Sequence, residues 1–286
     1  MEGYRESSSR GTAKGTMISP NIITEISTKE KIGWSVIEKD YFLTLILDGI
    51  AHDADLQGML VFKGGTALRK IYFKDYRYSE DLDFTPKKPL SMDAIQKAME
   101  RVFEYLIKVY NTDFRVTSFY SRKWFTDVKI QFMGLKKRKN TLTLDLMSDE
   151  ILVDRVREEN VINPYYPRSF SIPVYSLEEI LAEKLRSFLQ RTRVRDYYDA
   201  WYILKHAKNN IDREKIKEIF TKKVAYKKLS FFGGSQFFDK NKIEQAKAYY
   251  QQQIGHQVKG LPPFDDMISE LRTALEIFFN MPTIKT

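Results

Sequence analysis

Two aspartates separated by a single residue are the strongest candidates for chemistry in this sequence. They lie in the segment SEDLDF (79–84), where acidic and apolar residues alternate. Because successive side chains of a strand point to opposite faces, Asp81 and Asp83 share one face, and the apolar residues face a core. Two carboxylates this close repel each other unless a cation lies between them. The segment therefore predicts a metal site; the alternative is two exposed aspartates on an edge strand.

A third carboxylate is expected on a neighbouring strand. In the segment LTLDLM (142–147) the three leucines share one face, and Asp145 lies on the other. If this strand neighbours that of the aspartate pair, three carboxylates converge on one side of a sheet and can hold two divalent ions. Taken by itself, Asp145 is equally explained as a lone polar residue of a strand.

The composition decides which metals such carboxylates would bind. The 286 residues include no cysteine and only three histidines, none of them at a paired helical spacing. This excludes disulfides, a thiol nucleophile and thiolate-bound metals, and it argues against a histidine-built zinc centre. Carboxylate oxygens suit Mg²⁺ or Mn²⁺, so one of these is the expected cofactor.

A double glycine precedes the aspartate pair. In the segment VFKGGTAL (61–68) an apolar strand stops at Gly64 and Gly65, and a helical pattern begins at Thr66. Glycines let the backbone approach a phosphate closely, and the free N–H groups of a helix start favour negative charge. The turn thus predicts a site for the phosphates of a nucleotide. Glycines that serve only the turn geometry are the alternative.

Two charged residues of the second half are further candidates. Lys184 lies beside the apolar stripe of a predicted helix over residues 177–190, so its ammonium group needs an anionic partner. A triphosphate would supply one; the alternative is a lysine whose stem packs on the core while its head reaches water. Asp199 ends the segment RDYYD (195–199), where an ion pair with Arg195 on the same helix face explains it equally.

Strand and helix patterns divide the chain into three parts. Helical periodicity covers residues 34–51 and 91–110, and strand alternation covers three segments between 114 and 147. From residue 177 onward the patterns are helical. We expect a disordered leader (residues 1–16), an α/β domain (residues 17–160) and a helical C-terminal domain (residues 161–286).

Hydropathy and charge bear on location and partners. No stretch approaches the roughly 18–20 apolar residues of a membrane helix, and the first residues lack an apolar signal core, so we expect a cytoplasmic protein without membrane contact. Of the net charge of +9, residues 184–228 carry 14 basic against 5 acidic side chains. Such a region favours a polyanionic partner, nucleic acid or a nucleoside triphosphate, although a solvated lysine-rich surface has the same composition.

In their order along the chain, these motifs resemble the AbiEii/AbiGii toxin family. Its members are nucleotidyltransferase toxins of type IV toxin–antitoxin and abortive-infection systems, and they include the Menshen-type tRNA-modifying toxins. The resemblance implies a DNA-polymerase-β-like nucleotidyltransferase core with a mixed sheet, an α/β fold followed by a helical C-terminal half. It rests on the segments EKDYFL (38–43), KGGTAL (63–68), RYSEDLDF (77–84), LEEILAEKLR (177–186) and RDYYD (195–199).

The resemblance also implies roles for single residues. The phosphate turn of the family falls on Gly65 and Thr66, where threonine replaces the usual serine and keeps the hydroxyl. The metal pair of the family falls on Asp81 and Asp83. Its phosphate-contacting lysine falls on Lys184, and the acidic residue of its last motif falls on Asp199. The third metal ligand, Asp145, rests on the strand argument and not on the resemblance.

The implied reaction is the transfer of a nucleotide from a nucleoside triphosphate to an acceptor, the 3′ end of tRNA, and the implied partner is a cognate antitoxin. Two other readings of the residues stay open. One is nucleotidylation or phosphorylation of a protein hydroxyl. The other is a nucleic-acid-binding module without turnover, in which the carboxylates are structural.

Overall fold

The computed structural model describes residues 17–207 and 209–279. At its centre lies a single sheet. Its strands are β1 (Leu60–Lys63), β2 (Asp81–Pro86), β3 (Phe114–Arg122), β4 (Phe125–Met133), β5 (Lys139–Met147), β6 (Arg157–Asn160) and β7 (Ser171–Val174). They are hydrogen-bonded in the order β3-β4-β5-β2-β1-β7-β6. Because β2 is antiparallel to β1 and parallel to β5, the sheet is mixed, as predicted.

Helices precede, interrupt and follow the strands. They are α1 (Pro20–Glu30), α2 (Trp34–His52), α3 (Ala54–Met59), α4 (Gly64–Ala67), α5 (Met92–Tyr110), α6 (Leu177–Gln190), α7 (Val194–His206), α8 (Arg213–Tyr226), α9 (Lys240–Ile254) and α10 (Phe264–Phe279). A π-helical turn (Leu68–Tyr72) continues α4. The helical half predicted after residue 177 is confirmed in α6 to α10. The predicted leader, residues 1–16, lies outside the described residues.

One face of the sheet is the core face. Leu82 and Phe84 of β2 are fully buried there, as their alternation with the aspartates predicts. Helix α2 covers this face, and the ring of its Phe42 stacks on Phe132 of β4 with centroids 3.9 Å apart. Because α2 is enclosed by the sheet and by α5, it is buried on nearly all sides, including its carboxylates Glu38, Asp40 and Asp48. The opposite face therefore carries the polar residues of β2, β4 and β5.

The sheet extends past the domain boundary predicted at residue 160. Strand β7 pairs in parallel with β1, and β6 pairs with β7, so the segment after residue 160 contributes to the sheet. The sequence hides both strands because β6 (REEN) is polar throughout and β7 (SIPV) is short and contains proline. The sheet and helices α6 to α10 are thus joined through β7, directly before α6. Across residues 17–207 and 209–279, no helix is both long and apolar enough to span a membrane.

Candidate active site

Carboxylates line up across the polar face of the sheet. Asp83 of β2 lies directly opposite Asp145 of β5, and Asp145 lies directly opposite Asp127 of β4. Asp81 shares this face two residues before Asp83. The prediction that the strand of Asp145 neighbours the strand of the aspartate pair is confirmed. Asp127 was missed, because only the register of β4 against β5 brings it into the row.

Burial and the repulsion between the aspartates raise the pKa of two carboxylates in this row. Burial and the neighbouring Asp81 raise the pKa of Asp83 to about 7. The pKa of Asp145 is likewise raised to about 7, by burial and by the charges of Asp81 and Asp127. A carboxylate with such a pKa is poorly compensated by its surroundings, and an added cation stabilises its charged form.

The residues present fit a divalent metal ion that arrives with its substrate. Asp145 Oδ1 is buried and has no hydrogen-bond partner within the protein, so an oxygen ligand is available beside Asp83. In the described part of the chain, no three His, Cys, Asp or Glu side chains are grouped so as to hold a metal unaided. Mg²⁺ commonly binds through one or two carboxylates and completes its octahedron with water and substrate phosphates. That mode suits these aspartates.

At both positions of the double glycine, the neighbouring side chains leave no room for a Cβ atom. Gly64 has φ +78°, and a Cβ there would lie 2.3 Å from Asp83 Oδ2. A Cβ on Gly65 would lie 2.3 Å from the Arg77 guanidinium. The turn therefore lies directly against the carboxylates. The hydroxyl of Thr66, in contrast, is buried and donates to the backbone oxygen of Asp81 at 2.6 Å, so it fixes the turn to β2 and points away from the cleft.

Gly64→Ala is expected to lower both stability and activity. The left-handed φ costs a non-glycine residue about 1–2 kcal/mol, and the new methyl group must displace the Asp83 carboxylate. We expect a loss of about 1–2 kcal/mol in the free energy of unfolding, measured with urea, and a transfer rate lowered at least about tenfold. The matched control is Gly58→Ala in α3, where a Cβ meets no atom within 4 Å. Equal activity of the two variants would contradict the close approach at Gly64.

Lys184 and Asp199 belong to a buried network of ion pairs. The Lys184 ammonium group lies 2.9 Å from Asp196 Oδ1 and 2.8 Å from Asp199 Oδ2. Asp199 also accepts hydrogen bonds from the Arg77 guanidinium, at 2.7 Å from Nε and 3.0 Å from Nη2, and from the hydroxyl of Tyr76. The sequence predicts correctly that Lys184 needs an anion, but protein carboxylates already supply it.

The ion pair with Arg195, the alternative explanation of Asp199, does not form. The partners of Asp199 are Arg77, which precedes β2, and Lys184 of α6. Desolvation of the buried carboxylate is outweighed by these two cations, which hold its pKa well below the usual range. Asp196 and Asp199 in turn raise the pKa of Lys184 above its usual value. Arg77, Lys184, Asp196 and Asp199 are therefore charged at neutral pH.

A second network joins the end of β1 to the helices. Lys63, directly before the double glycine, donates to Glu183 Oε1 of α6 at 2.9 Å. The fully buried Lys223 of α8 lies 3.0 Å from Glu179 and 3.6 Å from Glu183. Helices α6 and α8 are thereby held against the strand that leads into the turn. Lys63 also lowers the pKa of Asp83, in opposition to the aspartates around it.

The sheet face and helices α6 and α7 enclose a cleft of about 620 Å³. Its lining includes Asp81, Asp83 and Asp145, both glycines and Lys184, but not Asp127, nor Asp199, which is fully buried behind it. Arg193 and Arg195 also line the cleft, and in the described residues neither forms a hydrogen bond or ion pair with a protein carboxylate. Their only signal in the sequence is the spacing RTRVR (191–195). A hollow of about 420 Å³ between α7 and α10 is mostly apolar and contains none of these aspartates.

Removal of the Asp145 charge is expected to stabilise the metal-free protein. The ordinary pKa of an aspartate is 3.8, and burial raises that of Asp145 to about 7. Between these values the unfolded chain loses the proton and the folded protein keeps it, so the stability cost of Asp145 builds up as the pH rises from about 4 to about 7 and is complete above 7. At pH 8, Asp145→Asn should unfold with a free energy about 1–2 kcal/mol higher than wild type.

Chemical denaturation at pH 8 and at pH 4 measures this effect. The two proteins should differ little at pH 4, where both side chains are neutral. A variant that is no more stable than wild type at pH 8 would show that the Asp145 carboxylate is well compensated in the folded protein.

The fold and the site together define the class of this protein. A mixed sheet with a glycine turn after one strand and paired aspartates on the next, facing a cleft closed by helices, is typical of nucleotidyltransferases. The chain belongs to the AbiEii family, since the family model described as nucleotidyl transferase AbiEii toxin of type IV toxin–antitoxin systems matches residues 45–276. The recognition made from the five sequence segments is confirmed.

Two solved structures share the fold. The nucleotidyltransferase toxin MenT4 from Mycobacterium tuberculosis is similar over 91% of this chain and 89% of its own, with 17% identity and a TM-score of 0.66. A protein from H. pylori assigned as a nucleotidyltransferase is similar over 86% of this chain and 96% of its own, with 16% identity and a TM-score of 0.57. No curated protein matches the chain.

Family membership settles the general activity. The protein is a nucleotidyltransferase, and it is the toxin component of a type IV toxin–antitoxin system. Its substrate is accordingly a nucleoside triphosphate, and its partner class is an antitoxin. The roles of individual residues, the metal and the acceptor do not follow from membership.

Proposed function

We propose that the protein transfers a nucleotide from a nucleoside triphosphate to RNA, at the 3′ end of tRNA, with Mg²⁺ or Mn²⁺ held by Asp81 and Asp83 and by Asp145 beside them. One observation carries the proposal. Asp83 lies directly against the glycine turn, and Asp81, Asp83 and Asp145, the last with an unpartnered carboxylate oxygen, line the same cleft as that turn.

The cleft offers the triphosphate three kinds of contact. The backbone at Gly64 and Gly65 has room for phosphate oxygens that a side chain would exclude. Arg193 and Arg195 supply guanidinium groups that pair with no carboxylate among residues 17–207 and 209–279, and such groups bind phosphate in bidentate geometry. Lys184 is a proposed phosphate contact whose position Asp196 and Asp199 fix, so Asp199 is a positioning residue.

The side chains of the cleft orient the triphosphate and the acceptor hydroxyl. In the reaction the acceptor hydroxyl oxygen releases its proton to solvent and bonds to the α-phosphorus, and the bond from that phosphorus to pyrophosphate breaks. The bound metal supplies charge neutralisation of the phosphates and activation of the attacking hydroxyl. Asp81 and Asp83 position that charge, and the cationic side of the cleft stabilises the leaving pyrophosphate.

The placement of basic side chains favours RNA as the acceptor, but those of the helices alone do not form its binding surface. Many basic side chains of residues 184–228 are used within the protein, and Lys223 and Arg186 are buried in ion pairs. Paired charges attract a polyanion less strongly than free ones. The RNA-binding surface is therefore expected to include other parts of the chain.

Labelled transfer tests the proposal. The protein is incubated with Mg²⁺, total tRNA and each of the four labelled ribonucleoside triphosphates in turn, and RNA and protein are separated. Label in RNA that disappears on chelation of the metal is the expected result. Label in protein alone would favour modification of a protein hydroxyl. Binding of tRNA with no label in either fraction would favour the module without turnover.

A further inference from the structure

The polar row of the sheet continues beyond the aspartates onto the edge strand. Tyr120 of β3 lies directly opposite Asp127 of β4, so the row runs Asp83, Asp145, Asp127, Tyr120. The next row ends in Arg122, opposite Phe125, and Phe125 itself lines the cleft. The face of the β3–β4 ribbon therefore adjoins the candidate active site without interruption.

The tip of this ribbon exposes aromatic rings with cations above them. Tyr120 is 47% exposed, and the Arg122 guanidinium lies 5.3 Å from its ring centroid. Trp124, in the two-residue turn between β3 and β4, is 49% exposed and has the Lys123 ammonium group 4.8 Å from its centroid. Aromatic rings with adjacent cations are the groups that stack bases and hold phosphates.

The ribbon and the hairpin that follows it carry free positive charge. Residues 113–140 contain eight basic side chains and two acidic ones. Throughout the described ranges, none of these eight is within ion-pair distance of a carboxylate, unlike the basic residues Lys184, Arg186 and Lys223 of the helical half. Unpaired charge beside exposed rings fits a single-stranded nucleic acid, whose phosphates alternate with stackable bases.

We propose that the ribbon tip, defined as residues Tyr120, Arg122, Lys123 and Trp124, binds unpaired nucleotides of the acceptor RNA and directs its end toward the aspartate row. The proposal rests on the proposed transfer to RNA. Three inter-strand spacings of about 4.8 Å separate Tyr120 from Asp83, a distance of about 14 Å along one face. An RNA strand stacked on the tip thus has its terminal nucleotide within reach of the cleft.

Tryptophan fluorescence tests binding without any need for transfer. The protein has three tryptophans, of which Trp201 is buried and Trp34 lies under the Lys136 ammonium group. The probe is a single-stranded ribooligonucleotide with the sequence of a tRNA 3′ end, and a blunt RNA duplex is its control. We expect the single strand to quench fluorescence at a concentration at least tenfold lower than the duplex, and Trp124→Phe to lose the quench. Equal quenching of wild type and Trp124→Phe would overturn the proposal.

Transfer kinetics separate this surface from the reaction itself. In the double variant Tyr120→Ala/Trp124→Ala, the KM for tRNA should rise at least about tenfold while the KM for the nucleoside triphosphate stays unchanged. The matched control is Tyr249→Ala, which removes a ring that is 46% exposed on α9. An unchanged KM for tRNA would overturn the proposed surface and leave the transferase intact.

The two proposals fail in different ways. If wild type labels no RNA, the proposed transfer to RNA fails, and the fluorescence titration still decides whether the ribbon tip binds single strands. If a protein partner protects Trp124 and the ribooligonucleotide does not, the tip is a protein-binding surface and the RNA proposal is wrong.

Discussion

Asp83→Asn is expected to lower the rate of nucleotide transfer by at least a hundredfold while the protein stays folded. The substitution keeps the size of the side chain but removes the charge that would hold a divalent ion, and such an ion contributes several kcal/mol to the stabilisation of a phosphoryl transition state. Stability should not fall, because the raised pKa of Asp83 shows that its charged form is unfavourable in the metal-free protein. Asp81→Asn should show the same loss of transfer.

Single-turnover transfer with saturating Mg²⁺ and triphosphate measures this loss, and circular dichroism and urea denaturation report the fold. Asp93→Asn is the matched control, since Asp93 is a carboxylate 76% exposed in its side chain on α5 and is not among the residues that line the cleft. Transfer within threefold of wild type in both Asp81→Asn and Asp83→Asn would remove the aspartate pair from the reaction.

Asp199→Ala is expected to destabilise the folded protein by about 3–5 kcal/mol. The substitution leaves the guanidinium of Arg77 without its carboxylate partner and takes one of two anions from Lys184, both in a desolvated environment. Arg77 lies against the glycine turn, so the turn should loosen and activity should fall together with stability. Urea denaturation at pH 7 gives the free energy of unfolding.

A surface ion pair provides the comparison. Glu218 pairs with Lys222 at 2.5 Å, but both side chains are more than half exposed, and removal of Glu218 should cost less than about 1 kcal/mol. The buried network also predicts that the double variant Arg77→Met/Asp199→Leu regains part of the stability lost in Asp199→Ala, because it leaves no unpaired guanidinium. A cost for Asp199→Ala no larger than that for Glu218→Ala would mean that water compensates these charges.

The two networks explain how the helical half can complete a site built on the sheet. One ties Arg77, before β2, to α6 and α7, and the other ties Lys63, at the end of β1, to α6 and α8. Each contacts a residue adjacent to the turn or to the aspartate pair. Contacts of this kind fix the width of the cleft, and a catalytic arrangement needs such fixed support.

Local pattern was sufficient to predict much of the site. Strict alternation placed Asp81 and Asp83 on one face and Leu82 and Phe84 in the core, because a strand has a period of two residues. The same rule placed Asp145 correctly opposite its leucines. The side-chain oxygen of Ser91 accepts the N–H of Ala94 and so begins α5, in agreement with the helical periodicity over residues 91–110.

The contacts of the site that the sequence did not predict depend on pairing between distant segments of the chain. Arg77 and Asp199 are 122 residues apart, so no local spacing links them, whereas Arg195 is near Asp199 and suggested the wrong partner. Asp127 and Tyr120 join the row only through the registers of β4 against β5 and of β3 against β4. The positive charge of residues 184–228 was visible in the composition, but its use inside the protein was not.

Metal binding by Asp81 and Asp83 is tested most directly by an anomalous difference map from crystals grown with Mn²⁺ and an unreactive nucleoside triphosphate analogue. We expect a metal peak about 2.1 Å from carboxylate oxygens of Asp81 and Asp83, with the phosphates against Gly64 and Gly65. A triphosphate bound in the cleft with no metal on either aspartate, or a metal held elsewhere in the protein, would contradict it.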